Sequence, residues 1–338
     1  MNSQENRFLH FLKIFDKKIQ DSINLNKSKL DNSPAKFLYK LDGRTQMFQL
    51  QGLARIECVI GKNKKIAKKW LIEFKSIEDA LGKYDYWFVL LEKQTKMKLN
   101  EKIENFIKEQ INIQVGYIEY ELLKYGWIQK NGTCTYNYNS KGIEKYIKLL
   151  PKLKWHKPKK EKTLLASFFK NECVKIQNLV LEKQIDLNDV EHGIHELRRK
   201  LRWIAIYCSC LLGKVKIEKN EKNDSLKIYV TKENINNKFN NLPKFKVDSP
   251  LYFTQGGFYA MNILIADIGE IKDKALTTEE FIQIGAWFKV TKNKIENVLG
   301  KDFISEMKVR NNTKELVNNF IIKEAILNNI VSHFENQI

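Results

Sequence analysis

The stretch "HGIHELRRKLRWIAIY", residues 192–207, decides the fold class and holds the most unusual chemistry of the chain. The chain has 59 Lys+Arg, but only seven of these are Arg, and three, Arg198, Arg199 and Arg202, lie within five residues. At about 100° per residue of helix, they form one basic stripe with His192 and His195. The opposite side carries apolar residues: Leu197, Leu201, Ile204, Ala205, Cys208 and Leu211. This pattern predicts a helix with an apolar back and a cationic front.

The sequence around this stretch also favours helices. Asn188 or Asp189 is a suitable cap for the start of the helix, and Gly213 is a suitable end, which predicts a single long helix. The whole chain of 338 residues contains only 15 Gly and 5 Pro, while 43% of its residues are hydrophobic. Few turn-forming residues and enough apolar residues for a core predict an all-α fold.

Two features predict that the chain has two halves. The segment "PKLKWHKPKKEK", residues 151–162, combines two prolines with a run of lysines and is interpreted as a hinge. We therefore expect an N-terminal helical half, residues 1–150, and a C-terminal half, residues 151–338. Residues 214–258 have a different character and are interpreted as an insertion that begins with a possible hairpin. The segment "KNGTCTYNYNSKG", residues 130–142, is predicted to be a loop.

A weak internal repeat supports this division. "FKSIEDALGKYDYW", residues 74–87, is similar to "MNILIADIGEIKDKA", residues 261–275. Each places Leu-Gly or Ile-Gly near the end of an apolar helical stretch, followed shortly by an Asp. Gly82 and Gly269 lie about half a chain apart, as expected if one helical unit had been duplicated.

The charge and the arginine cluster together indicate a polyanionic partner. A formal net charge of +19 attracts nucleic acid, polyphosphate or an anionic membrane face. Arginine adds a planar fork that binds phosphate oxygens in pairs and keeps its charge among other cations. The alternative is an ordinary solvated helix face, with the arginines paired to Glu191 or Glu196.

The stretch "HELRRKLRWIAIY" resembles the signature helix of the CHAD family, the conserved-histidine α-helical domain. "ALGKYDYW" and "DIGEIKD" are similar to a second signature of that family, with Lys272 in place of its usual Arg. The resemblance implies a duplicated all-α fold, two helical bundles related by an internal pseudo-two-fold, and a basic cavity between them. It also implies binding of inorganic polyphosphate, with His195, Arg198 and Arg202 as principal contacts and Arg199 and Lys272 assisting.

The first half matches the family less well. Its candidate helix, "LQGLARIECVIGKNKKIAKKWL", has no histidine at the expected place. It does contain Arg55, Lys62 and Lys69 at intervals of seven residues, with Lys65 beside them. We interpret these four residues as a degenerate partner stripe, the alternative being a solvated lysine face.

The sequence therefore predicts non-catalytic binding of polyphosphate, with nucleic-acid binding as the alternative. A polyphosphate-processing enzyme is less favoured, because no carboxylates are spaced to hold Mg²⁺. His192 and His195 lack further ligands at metal-binding spacing, so we expect no metal or cofactor. Five cysteines, no signal peptide and no long apolar run predict a cytoplasmic protein with reduced thiols and no membrane contact.

Overall fold

The computed structural model describes residues 6–28, 33–131, 135–219 and 223–337. Helices dominate these residues, and the strands among them form two small two-stranded sheets. The predicted all-α class is therefore confirmed. The chain divides into two compact units, Met1–Trp155 and His156–Ile338. The division falls within the proline- and lysine-containing segment 151–162.

The first unit is built on four long helices and several shorter elements. Its helices are α1 Arg7–Ser28, α2 Pro34–Lys40, α3 Gly43–Ile60, α4 Lys64–Met97, α5 Glu101–Lys124 and α6 Lys141–Ile147. Helix α4 packs along both α3 and α5, and α1 packs against α2 and α3. The apolar side chains that lie at helical spacing along α1 are fully buried: Phe8, Leu12, Phe15 and Ile19.

Residues 61–63 separate α3 from α4. Asn63 caps α4, where its side-chain oxygen accepts a hydrogen bond from the backbone N–H of Ile66 at 3.4 Å. Helix α4 then continues to Met97. Residues Arg55 and Lys69 therefore belong to different helices.

The loop predicted at residues 130–142 is wrong. Strands β1 Ile128–Asn131 and β2 Thr135–Tyr138 pair antiparallel there. The hydroxyls of Tyr136 and Tyr138 donate to Glu119 and Asp16, each at 2.8 Å. Thr and Tyr favour a strand. The two tyrosines also attach the strand to α5 and α1, and these effects outweigh the Asn and Gly content of the segment.

The second unit is organised around one central helix, α11 Gln255–Trp287. Its other helices are α7 Pro158–Leu181, α8 His195–Cys210, α9 Asp224–Lys227, α10 Lys232–Asn236, α12 Lys292–Leu299, α13 Glu306–Val317 and α14 Ile326–Glu335. Helix α11 packs against α8, α12, α13 and α14, and α14 also packs against α7. The phenylalanines at the centre of this unit are fully buried: Phe169, Phe253, Phe258 and Phe334.

The hairpin predicted at the start of residues 214–258 is also wrong. Strand β3 Val215–Glu218 pairs in parallel with β4 Leu251–Thr254, which lies at the far end of the segment. The buried Lys214 stabilises this closure, because its ammonium donates to the carbonyl oxygens of Pro158 at 3.0 Å and Asp248 at 2.8 Å. The pairing is non-local, so the residue pattern of β3 could not identify its partner.

The single long helix predicted from Asn188 or Asp189 to Gly213 is interrupted. Asp189 caps a π-helical turn, Val190–Ile194, and the regular helix α8 begins only at His195. The π-turn contains an extra residue per turn, so the helical wheel that aligned His192 with His195 does not apply to His192. From His195 onward the wheel holds: Leu197, Leu201 and Ile204 are fully buried.

No helix among the described residues combines the length and the low polarity needed to cross a membrane. Four cysteines are free thiols: Cys58, which is part-exposed, and the buried Cys173, Cys208 and Cys210. Burial raises the pKa of Cys173 and Cys208, which makes these thiols poor nucleophiles. Cys134 lies outside the described residues.

Candidate anion-binding site

Two basic side chains of helix α8, His195 and Arg198, lie on the side of the helix that packs against α11. The backbone N–H of His192 donates to the capping carboxylate of Asp189 at 2.8 Å, which fixes the turn that precedes α8. Buried Leu197 and Leu201 anchor the apolar back of α8. On the other side, His195 and Arg198 are half-buried, because α11 partly covers them.

Arg198 is held against the backbone of α11. Its Nε donates to the carbonyl oxygen of Ile265 at 3.1 Å. A methyl group on Gly269 would lie 2.7 Å from that Nε and 2.9 Å from Nη2 of the same guanidinium. These distances are shorter than normal contacts, so Gly269 is the residue that allows the arginine to lie this close to α11.

Lys272 brings a second cation to the same region. It follows Gly269 by three residues on α11 and is only 9% exposed. Its ammonium forms an ion pair with Asp273, a carboxylate that is mostly exposed to solvent. A lysine buried to this degree is uncommon in proteins, and such residues are often functional. His195, Arg198 and Lys272 are named the Arg198 cluster below.

The pKa of His195 reflects its burial and the positive charges of this cluster. Burial lowers its pKa below the ordinary value of 6.5, and the charges of Lys272, Arg198 and Arg199 lower it further, while Glu191 opposes them. The Nδ1 atom of His195 is buried and has no hydrogen-bond partner among the described residues. The imidazole therefore lies where another positive charge is unfavourable and a negative charge would be favourable.

The remaining arginines of the stripe lie at its edge. Arg199 is exposed, and its Nη2 is 2.6 Å from a carboxylate oxygen of Glu196, which also pairs with Lys200. For Arg199, the structure thus shows the solvated ion pair that was the alternative interpretation. Arg202 is half-buried one turn further along α8.

The four basic residues predicted in the first half do not form one line. Arg55 is half-buried on α3, Lys62 lies in the loop between the helices, and Lys65 and Lys69 are exposed on α4. Lys69 is 4.0 Å from the carboxylate of Glu73. The regular spacing in sequence assumed a continuous helix, and the break at Gly61 removes that assumption. Lys62, Lys65 and Lys69 match the solvated lysine face that was the alternative.

The sequence interpretation missed Arg44, which is the structural counterpart of Arg198. Arg44 lies on α3 and crosses α4 at Gly82, where an added methyl group would lie 2.7 Å from Nη2. Gly82 is the same glycine that the internal repeat aligned with Gly269. The repeat thus identified the correct position on α4. Its partner on α3 is Arg44, whereas the predicted basic stripe began at Arg55.

The two arginine–glycine pairs differ in their neighbours. Four residues before the glycine, the first unit has Glu78 and the second has Ile265. Three residues after it, the first unit has Asp85 and the second has Lys272. In the first unit, Nε of Arg44 donates to Glu78 at 2.9 Å and Nη1 donates to Asp85 at 2.7 Å. The arginine of the first unit is therefore neutralised by carboxylates, whereas the corresponding positions of the second unit add a cation.

No protein-family model, no curated protein and no solved structure matches this chain. Within the described part of the chain, no group of three or more His, Cys, Asp or Glu side chains is arranged to hold a metal ion.

Proposed function

We propose that the protein binds a polyanion, inorganic polyphosphate above others, at the Arg198 cluster of the second unit. Arg202 and Arg199 extend the same face of α8 and assist. No bond is made or broken in this proposal, because the side chains of the cluster supply positive charge and hydrogen-bond donors only.

The observation that carries the proposal is the position of two cationic side chains at one place: Arg198 is held against α11 at Gly269, three residues before the buried Lys272. The pKa of His195 beside them is lowered first by burial and then by the charges of Lys272, Arg198 and Arg199, with Glu191 opposing. Like charges held together in this way reduce the stability of the folded chain, and a bound anion relieves that repulsion. Such strained electrostatics are typical of binding sites.

The kinds of side chain favour phosphate over other anions. The guanidinium of Arg198 is fixed by its bond to Ile265 and its position over Gly269, so little entropy is lost when it binds an oxyanion. Lys272 supplies a point charge, as in other phosphate sites. His195 supplies an N–H donor that gains a full charge once the anion is near.

The resemblance to the CHAD family supports the same ligand. It rests on the α8 stretch that carries His195 and Arg198 and on the α11 stretch that carries Gly269 and Lys272. The matched arginine–glycine pairs on α3–α4 and α8–α11 support a duplicated unit. The pseudo-two-fold, a basic cavity between the halves and a cytoplasmic location stay predictions.

Nucleic acid is the second candidate, and the net charge of +19 favours it. Lysines that are exposed around the start of α4 add to this general attraction: Lys62, Lys64, Lys65, Lys68 and Lys69. Such a surface binds any phosphate backbone with a steep salt dependence and little selectivity.

A competition assay tests the proposal against this alternative. Labelled polyphosphate is bound to the protein at about 0.15 M salt, where exposed charges more than about 8 Å apart are largely screened. Unlabelled polyphosphate should displace it at a phosphate concentration at least tenfold lower than RNA or duplex DNA. Equal displacement by all three polymers would support the nucleic-acid alternative. In the same buffer with Mg²⁺, the polyphosphate should keep its chain length, and shortening that scales with protein would contradict the non-catalytic part.

A further inference from the structure

The arginine–glycine pair of the first unit has the geometry of a site whose ligand position is filled by the chain itself. Arg44 binds two separate carboxylates, Glu78 through Nε and Asp85 through Nη1. The hydroxyl of Tyr39 donates to the second oxygen of Asp85. The Asp85 carboxylate thus lies against Nη1 of the guanidinium, where an oxygen of a bound phosphate would lie in an open site. Glu78 takes the position at Nε that the carbonyl oxygen of Ile265 has beside Arg198, and adds a negative charge there.

These carboxylates are held firmly in place. The side chain of Glu78 is 10% exposed and that of Arg44 is 28% exposed. Burying a carboxylate is costly unless it is paired, so Glu78 depends on Arg44. Burial, and then the hydrogen bond to Asp85, raise the pKa of Tyr39, which keeps its hydroxyl protonated as a donor.

The other cationic positions of the second unit are also absent from the first. Counted from the arginine, His195 corresponds to Leu41, and Arg202 corresponds to Phe48. The guanidinium of Arg44 lies over the ring of Phe48, with its carbon 5.3 Å from the ring centre. The first unit thus keeps the arginine and the glycine but replaces the surrounding cations by apolar or acidic residues.

We propose that Glu78 and Asp85 close a second anion site, centred on Arg44, and that they leave the chain with one anion site, at the Arg198 cluster. This inference rests on the proposed function, because it assigns to Arg44 the kind of ligand proposed for Arg198. It identifies two acidic residues that determine the number of phosphate ligands each chain binds.

The test is the number of inorganic tripolyphosphate molecules bound per chain, measured by titration calorimetry. The variant with Glu78→Gln and Asp85→Asn keeps the shapes of both side chains and removes their charges. Wild type should bind one equivalent, and the variant should bind two, with affinities within about tenfold of each other. Adding Arg44→Gln should remove the second equivalent only. One equivalent in the double variant would overturn the inference.

Arg198→Lys separates this inference from the proposed function. In wild type, that change should abolish the single equivalent. In the Glu78→Gln, Asp85→Asn background, it should leave one equivalent, which then depends on Arg44. Binding by the background but not by wild type would contradict the proposed function and support the inference. If the double variant does not fold, as judged by circular dichroism, Asp85→Asn alone is used, since Asp85 is the more exposed carboxylate. Stoichiometry unchanged in that folded variant would then contradict the inference.

Discussion

The guanidinium of Arg198 lies against the backbone of Gly269, so close that a single added methyl group would be 2.7 Å from Nε. The same relationship joins Arg44 to Gly82 in the other unit. The two pairs have the same geometry but opposite electrostatic surroundings. Variants of one pair therefore serve as controls for the same variants of the other pair.

Replacement of Gly269 by alanine should separate binding from stability. The closest contacts of the methyl group would all be with the Arg198 side chain, which it would displace without moving backbone, while alanine favours a helix interior over glycine by about 0.5–1 kcal/mol. We expect Gly269→Ala to keep or raise the melting temperature and to weaken polyphosphate binding at least tenfold. Binding is measured by calorimetry and melting by circular dichroism.

The matched change, Gly82→Ala, should leave polyphosphate binding unchanged. It displaces Arg44 from Glu78 and Asp85, so any gain in helix propensity is offset by weaker ion pairs. Equal losses of binding in the two alanine variants would contradict the assignment of the site to the second unit.

Removal of each arginine should affect stability very differently. Arg44→Met leaves the carboxylate of Glu78 buried without its partner, which should lower the free energy of unfolding by about 3 kcal/mol. Arg198→Met loses a hydrogen bond to Ile265 but also relieves repulsion with Lys272. The net change should stay within about 1 kcal/mol.

Urea unfolding of both methionine variants without added phosphate checks this difference. A loss for Arg198→Met as large as that for Arg44→Met would show that Arg198 has a structural role instead. That result would contradict the proposal that the Arg198 cluster serves to bind a polyanion.

Much of the site could be predicted from the sequence, since local patterns specified it. The arginines of α8 and their apolar back follow from helical spacing, and the buried Leu197 and Leu201 confirm that spacing. Lys272 on α11 follows only from the resemblance to the second CHAD signature. The position of His192 relative to the basic stripe could not be predicted, because the π-turn before His195 breaks the regular helical period.

The rest of the site could not be predicted because it depends on which helices pack together. Arg44 follows a left-handed residue, Asp42, at the start of α3, and nothing local in the sequence links it to Gly82. Two carboxylates, Glu78 and Asp85, then reverse the charge of the site, an effect that is visible only after α3 has packed on α4. The pairing of β3 with β4 depends on contacts of the same non-local kind.

Polyphosphate binding should strengthen as the pH falls. In the free protein, burial and Lys272 hold the pKa of His195 below 6.5, so the imidazole is neutral near pH 7. A bound polyanion favours the charged imidazole and raises that pKa, so binding takes up a proton. The affinity should therefore rise between about pH 7 and 5, and His195→Gln should remove this part of the pH dependence.

Without ligand, the same group should make the folded chain less stable at low pH. The unfolded chain binds the proton at the ordinary pKa, above the folded value, so this contribution is present above about pH 6.5 and is lost as the pH falls toward the folded value. An NMR titration of the His195 imidazole measures its pKa in the free and in the polyphosphate-bound protein. Lys272→Met should raise this pKa in the free protein. A pKa that does not change when polyphosphate binds would place the ligand elsewhere.

The central claim is that polyphosphate binds at a defined cluster and not to a generally basic surface. Its most direct test is the affinity of two double variants at about 0.15 M salt. Each charge-assisted contact of an arginine contributes about 1.5–3 kcal/mol, so Arg198→Ala with Arg202→Ala should weaken binding by about 10²-fold or more. Changing two exposed lysines in the first turn of α7, as Lys159→Ala with Lys160→Ala, should cost a few-fold at most. Equal losses in the two variants would contradict the claim.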